Sequence, residues 1–385
     1  MTHHRPGPAS RRLRPVQDLT HHPNDPTRTA ETGPGRPVDP LESESVTVDR
    51  VIRLTPVALI TLRPTHWLWD DRIPYGALVL GAGREGIGKS LFCAWLTAEI
   101  TLGTLPGVHH DHPRSVIYAA TEDSWERTIA GRLRVAGADL QRVYRVDVEY
   151  IGTAVPLCLP RDCAELADQI RLHDVALLIL DPLISVVDPR INVNQEELRT
   201  ALEPLAALAD HTGAAIFGLA HFNKASGTDA LSRITGSRAF AAVARAAIAF
   251  ARDPHAADGS CVLSQIKNNL GRLDLPSLRY SVESVTVATD EGPGQWGRLV
   301  ITGETDTHVD TLLTDTDTLD RTERDAAAGW LTDYLTLNPK SPSSEVKKAG
   351  KAAGFSERTL QRARMSLNVT ATEAGFPRRT FWDLP

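Results

Sequence analysis

The sequence is short of sulfur and of aromatic side chains. Four cysteines and two methionines stand among 385 residues, and Phe, Trp and Tyr together make up 5%. Cys93, Cys158, Cys163 and Cys261 fall mostly within apolar segments and show no CxxC spacing. That argues against a disulfide framework or a cysteine-ligated zinc site, and for reduced thiols packed as small apolar groups. No apolar run approaches the roughly 20 residues that a membrane-spanning helix requires. The stretch Met1 to Val46 is rich in Pro, Arg, Thr and His but lacks the apolar centre of a secretory signal. A cytoplasmic location without membrane association is expected.

What is present describes a globular chain of roughly two domains. Hydrophobic residues make up 42% and charged residues 23%, and the formal net charge is -6. A uniformly basic, nucleic-acid-coating protein is excluded, but the charge is uneven. Between Arg321 and Trp382 eleven basic and six acidic side chains give +5, which leaves -11 for the remainder. Residues 1–48 combine Pro, Gly and charge without periodicity and are expected to be disordered. From Val51 strand-like and helix-like runs alternate: Ala77 to Leu80, the helix Lys89 to Thr101, Ser115 to Ala120, and a helix through Trp125 to Ala136. Val175 to Leu180, a helix near 195–212, and Ala214 to Ala220 continue the series. Such alternation predicts an α/β fold, a mainly parallel sheet with helices on both faces. Beyond Ala246 strand follows strand, which predicts antiparallel additions at one edge. The acidic, Thr-rich stretch 306–321 reads as a linker between an α/β domain over 49–305 and a small domain over 322–385. There is no internal repeat or heptad.

Gly83 to Ser90 reads Gly-Arg-Glu-Gly-Ile-Gly-Lys-Ser, between an apolar strand and an apolar helix. In that context the glycines let successive backbone N–H groups curl around phosphates, Lys89 reaches the β and γ oxygens, and the Ser90 hydroxyl can ligate magnesium. Gly83, Arg84, Glu85, Gly86, Ile87, Gly88, Lys89, Ser90 and Leu91 are therefore the nucleotide-binding candidates, with ATP and Mg2+ as ligands. A magnesium site also needs a carboxylate at a neighbouring strand end, and Asp181 closes the run Val175 to Leu180. The next residue is Pro182, so a catalytic base must come from elsewhere. Glu122, after the strand Ser115 to Ala120, is the candidate for polarising the attacking water, with Asp123 as a possible substitute. The strand Ala214 to Ala220 ends in His221-Phe222-Asn223-Lys224. Ligands in open parallel sheets bind at the carboxyl ends of strands, so His221 can sense the γ-phosphate or can be a structural histidine. His109-His110-Asp111-His112 lies beside Pro106-Gly107 and Pro113 and reads as an exposed loop rather than a metal site.

Taken together, these residues resemble the RecA-like ATPases of the plasmid RepA and DnaB hexameric-helicase type. The resemblance runs from about Trp67 to Gly303. It includes Trp67-Leu-Trp69 with Ile73-Pro-Tyr-Gly76, the phosphate loop, Thr121-Glu122-Asp123 with Arg132-Leu133 and Ala136-Gly137-Ala138, and Leu180-Asp181-Pro182. The Asn194 to Arg199 stretch, His221 to Lys224, and Arg233-Ile-Thr-Gly-Ser237 leading to Arg245 complete it. The resemblance implies a RecA-like P-loop core in which ATP lies between neighbouring subunits of a ring, a homo-hexamer here, and a basic residue of the neighbour completes the site. By position Arg245 matches the arginine finger that neutralises charge during phosphoryl transfer. Arg238 is a rival, and Lys267 matches a second basic position, although Asn269 stands where DnaB-like members carry Arg. The family also implies DNA as partner, with a replication initiator or primase besides.

The last segment reads as a helix-turn-helix: Ser343 to Ala353, a turn at Gly354-Phe355, and a second helix from N-cap Ser356 to Leu367. Arg358, Gln361, Arg362 and Arg364 decorate the second helix, and Val369 to Trp382 reads as a two-strand wing with its tip at Gly375 to Arg379. A small C-terminal winged-helix-like domain contacting duplex DNA is expected, with a protein-binding or purely structural module as the alternative.

Overall fold

The computed structural model describes residues 52–192, 196–223, 229–235, 237–374 and 378–385, without the side chains at 237, 238 and 316–324. The tail expected over 1–48, Asn194, Lys224, the side chain of Arg238 and the start of the wing tip lie outside the described residues. Residues 52–62 form a separate short unit whose one regular element is a single 3-10 turn over Val57–Leu59. The rest, from Arg63, is organised around a nine-stranded sheet.

In chain order its strands are β1 (Leu78–Gly83), β2 (Ser115–Ala120), β3 (Val143–Arg145), β4 (Val175–Asp181), β5 (Ala215–His221), β6 (Ala246–Arg252), β7 (Cys261–Asn268), β8 (Ser277–Thr289) and β9 (Gly292–Thr305). Their spatial order is β9-β8-β7-β6-β1-β5-β4-β2-β3. The six strands from β6 to β3 run parallel, and β7, β8 and β9 are added antiparallel at the β6 edge. The α/β expectation is met because β1, β4 and β5 are continuous apolar runs buried on both faces. Alternate side chains feed two cores. Leu78, Leu80 and Leu178 pack with Leu166, Leu202 and Leu205 on one face, and Val79, Tyr118 and Ile179 with Phe92, Leu96 and Leu133 on the other.

Helices α1 (Lys89–Leu102) and α2 (Ala130–Ala136) cover the second face, α3 (Cys163–Leu172) and α4 (Glu196–Thr212) the first. The short α5 (Ser237–Val243) leads into β6. Before α2 the chain Trp125–Ile129 makes a π-helical turn, so the single helix expected through this region is wider at its start. A longer departure is the β8–β9 hairpin. Its strands pair along their whole length, yet β8 pairs with β7 only from Leu278 to Tyr280. Beyond that point the hairpin leaves the sheet and packs on α1 and α2. There the indole of Trp296 lies against Gly131, and its Nε1 donates to the Arg127 carbonyl at 2.9 Å.

The stretch 306–321, read above as a linker, is largely helical. It enters α6 (Val309–Leu337), a helix of 29 residues. Val309, Leu312 and Leu313 fall at helical spacing and are buried against Ala249, Ala251 and Val262 of the sheet, an apolar stripe that the surrounding Asp and Thr residues conceal in the composition. Asp310 fixes the entry by accepting the Ala230 backbone N–H at 2.8 Å, and the Val309 N–H donates to Ser264 Oγ at 3.0 Å. The far half of α6 packs with α7 (Ser343–Ala352), α8 (Glu357–Ser366) and a three-stranded antiparallel sheet. That sheet holds β10 (Ser341–Pro342), β11 (Thr370–Ala374) and β12 (Arg379–Asp383) in the order β10-β12-β11. Leu331, Leu335, Val346, Ala363 and Trp382 form its core. Ser356 caps α8 as expected, accepting the Thr359 N–H at 3.1 Å.

Candidate nucleotide site

The phosphate-loop candidates begin where β1 runs out. Gly83 leaves no space for a side chain, since a Cβ there would lie 2.9 Å from the Phe250 carbonyl oxygen. Gly86 and Gly88 have φ of 74° and 96°, left-handed values that a side chain resists, so the loop curls back before α1 starts at Lys89. From β8, three strands away in the sheet, the Tyr280 hydroxyl donates to the Ile87 carbonyl at 2.7 Å and pins the loop.

A cavity of about 410 Å3 opens at this turn, lined by Glu85, Gly86, Gly88, Lys89, Ser90, Leu91, Glu122, Asp123, Arg132, Asp181 and His221. Four strand ends converge there, because β1, β5, β4 and β2 are neighbours running in the same direction. Lys89 and Ser90 follow β1, Glu122 follows β2, Asp181 ends β4 and His221 ends β5. Gly83, Arg84 and Ile87 shape the loop without lining the cavity: the first two offer carbonyls to Lys89, and the third accepts from Tyr280.

Lys89 is only 6% exposed. Its ammonium donates to the carbonyls of Gly83 at 3.0 Å and Arg84 at 2.9 Å and lies 3.4 Å from His221 Nδ1. Burial lowers its pKa, against the raising influence of Asp181, Glu85, Cys93 and Glu122. An incoming triphosphate would restore the favoured charge. Asp181 shows the converse: burial raises its pKa, opposed by hydrogen bonds from Ser90 and Tyr118. The Tyr118 hydroxyl is 3.0 Å from Asp181 Oδ2. Facing Glu122, the salt bridge of Arg132 Nη1 to Asp123 Oδ2 at 2.7 Å engages the carboxylate named above as a substitute base. Glu122 itself is exposed to the cavity.

The donor set suits magnesium. A serine hydroxyl and a carboxylate are hard oxygen ligands, and a magnesium ion characteristically takes one or two carboxylates together with phosphate oxygens and water. Among the described residues no cluster of three or more His, Cys, Asp or Glu offers an all-protein metal cage. His109 is engaged elsewhere: its Nδ1 accepts from Arg114 Nε at 3.2 Å and its ring meets Tyr75 edge-on.

Arg245 and Lys267, the basic candidates whose side chains are described, do not line this cavity. Arg245 is exposed just before β6, its N–H bonded to the Leu78 carbonyl at the opposite end of β1. Lys267 is engaged inside its own chain, donating to the carbonyls of Ala241 and Ala244 at the end of α5, the latter at 2.6 Å. Sequence reasoning passed over Tyr118, Tyr280 and Trp296. Their roles depend on contacts with residues 63, 193 and 169 positions away, and a single tyrosine within an apolar strand gives only a faint signal.

Comparison with known proteins agrees with this geometry over the first half of the chain. Residues 50–227 match a family model described as an AAA domain. The match spans the phosphate loop, Glu122, Asp181 and His221 and ends before Arg245. It supports an AAA-type P-loop ATPase domain that binds nucleotide. No curated protein matches the chain. Among the described residues no helix is long and apolar enough to cross a membrane.

Proposed function

We propose that this chain is an ATP-driven DNA translocase or helicase of the RepA type, acting as a ring in the replication of a plasmid, phage or mobile element. The observation that carries the hydrolytic part is the convergence of Lys89, Ser90, Glu122, Asp181 and His221 from four strand ends on one cavity. In this reading Lys89 neutralises the β and γ oxygens, Ser90 and Asp181 hold magnesium, and the ion spreads the charge of the transferred phosphoryl group. Glu122 orients and deprotonates the attacking water, and His221, within reach of the Lys89 ammonium, responds to the γ-phosphate. Arg245 of the adjacent subunit completes the site; such fingers contribute about 10³ to 10⁵ in turnover. Mixing Arg245→Ala subunits with Lys89→Ala subunits tests this. Recovery of turnover in co-assembled rings supports a shared site, and its absence despite co-assembly counts against one.

The DNA part rests on α7, α8 and the paired β11 and β12, which carry exposed Lys351, Arg358, Arg362 and Arg379, with exposed Arg378 just before β12. Arginines on a helix following a turn suit phosphate and base-edge contacts in a major groove. The decisive experiment measures ATP hydrolysis and strand displacement with and without single- and double-stranded DNA. Turnover indifferent to DNA, with no unwinding, refutes the translocase reading. A second reading, an ATP-switched regulator that recognises a DNA site, draws on the same module. A sequence-specific footprint that survives Glu122→Gln favours it, because a binding switch needs no activated water.

A further inference from the structure

Tyr118 is a polar side chain in a place that has little use for one. It sits in the middle of β2, a strand buried almost throughout, and is 1% exposed. Its ring belongs to the apolar core beneath α1, with the Trp125 ring 6.0 Å away and edge-on. A phenol hydroxyl costs free energy in such a core unless it is hydrogen-bonded. Here it has two neighbours, Asp181 Oδ2 at 3.0 Å and the Cys93 thiol on the second turn of α1. The sheet register explains the reach. Ala120 is paired with Asp181 and Tyr118 with Ile179, so Tyr118 lies two residues back on the same face and spans the diagonal that long aromatic side chains can cross.

Ser90 approaches the same carboxylate from the first turn of α1. Asp181 is thus held between a buried phenol on one side and the proposed magnesium-ligating hydroxyl on the other. We propose that Tyr118 is a positioning residue for the magnesium site, its hydroxyl orienting the Asp181 carboxylate toward Ser90 and the cavity. The assignment rests on the ATPase reading above and adds a residue to it. Without the phenol, Asp181 loses the partner that selects its orientation, and the ion must organise the carboxylate itself.

The test measures binding. Affinity for a fluorescent ATP analogue is determined in EDTA and across a magnesium titration for the wild-type chain, Tyr118→Phe, Asp181→Asn and the double variant. Tyr118→Phe keeps the ring and removes the hydroxyl. It should leave affinity in EDTA within about twofold and raise the magnesium concentration for half-maximal tightening about tenfold, the size expected for loss of a hydrogen bond to a charged group. In the Asp181→Asn background the same change should add little. Tyr118→Met serves the comparison if the Phe variant does not fold. An unchanged magnesium dependence in a folded variant overturns the assignment, as does an equal loss with and without magnesium, which marks a purely structural role. A wild-type chain whose nucleotide affinity ignores magnesium sinks the ATPase reading instead, so the two failures are distinct.

Discussion

Replacing Lys89 by methionine separates what the buried ammonium does for nucleotide from what it does for the fold. Its ammonium is held by two backbone carbonyls, and burial lowers its pKa, so a charge is kept where it is costly. Methionine of similar length removes that cost and deprives the Gly83 and Arg84 carbonyls of a donor. The terms oppose each other at about 1 to 3 kcal/mol each, so the melting temperature without ligand should move by only a few degrees. Binding should change far more. A hydrogen bond to a charged group contributes about 1.5 to 3 kcal/mol, so ATP affinity should fall roughly 10- to 100-fold. At a hundred times the wild-type Kd, ATP stabilises the native state by about 2.7 kcal/mol, and at about 2 °C per kcal/mol the melting temperature rises by about 5 °C. After a hundredfold loss the same ATP adds about 0.4 kcal/mol, less than about 1 °C. Turnover at saturating ATP should drop by at least about 10² to 10³, the usual effect of removing one stabiliser of developing charge. Thermal melts with and without ATP and magnesium, beside phosphate release, check each quantity. A melting shift of wild-type size in Lys89→Met, or turnover within tenfold of wild type, would refute the assignment.

Glu122→Gln should cut turnover by about 10² to 10⁴ while leaving ATP affinity within a few-fold; equal losses in both would show that Glu122 holds nucleotide and does not activate water. The His109 pKa is pushed down to about 4, chiefly by burial and then by the charges of Arg114 and His112. Its unfolded value lies near 6.5, so the unfolded chain binds the extra proton first, and this contribution is full above about 6.5 and declines as pH falls toward 4. Melting temperatures of His109→Gln across that window should fall less with acid than those of the wild type, and parallel curves would remove His109 from the account. Trp296→Ala takes away the donor to the Arg127 carbonyl and the ring against Gly131, with a cost of about 2 to 3 kcal/mol for this partly exposed indole. Hydrogen exchange should quicken between Trp125 and Ala136 before it does in β4 or β5, and uniform quickening would show that the hairpin does not clamp that segment. Arg358→Ser with Arg362→Ser should weaken duplex DNA binding and flatten the dependence of log affinity on log salt by about 2, whereas an unchanged slope would place the phosphate contacts elsewhere.

Most of the site was legible because parallel strands buried on both faces spell themselves as apolar runs, and the polar residue that ends each run marks the ligand-facing edge. Asp181 after Leu180 and His221 after Ala220 were readable in that way, as was Ser356 as a helix cap. α6 was not, since its apolar stripe at Val309, Leu312 and Leu313 is interrupted by Asp and Thr on the solvent side, and composition outweighs three residues in a window. The true length of β9 was hidden by Gly292, Gly294 and Gly297, which look like turn residues. In the structure Gly294 and Gly297 are where the Trp296 ring and the Leu91 side chain come close to the backbone. Tyr118 was legible as apolar core but not as a donor, because its partner is fixed by the pairing of β2 with β4.

Strand direction also bears on Arg245. β6 is parallel to β1, with Ala246 beside Val79 and Phe250 beside Gly83, so Arg245 stands five residues, roughly 17 Å of strand, from the register of the phosphate loop. A side chain at the amino end of a parallel strand cannot serve a ligand bound at the carboxyl end of its neighbour in the same chain. An arginine required for turnover at this position must therefore act on another subunit's nucleotide or act through the fold. Arg245 is exposed, and its hydrogen bonds among the described residues are backbone ones, to Leu78 and Asn269, so replacing its side chain breaks none of them. A folded Arg245→Ala chain that binds ATP normally yet fails to hydrolyse it would leave only the intersubunit role, whereas Lys267, which holds the end of α5, admits no such clean separation.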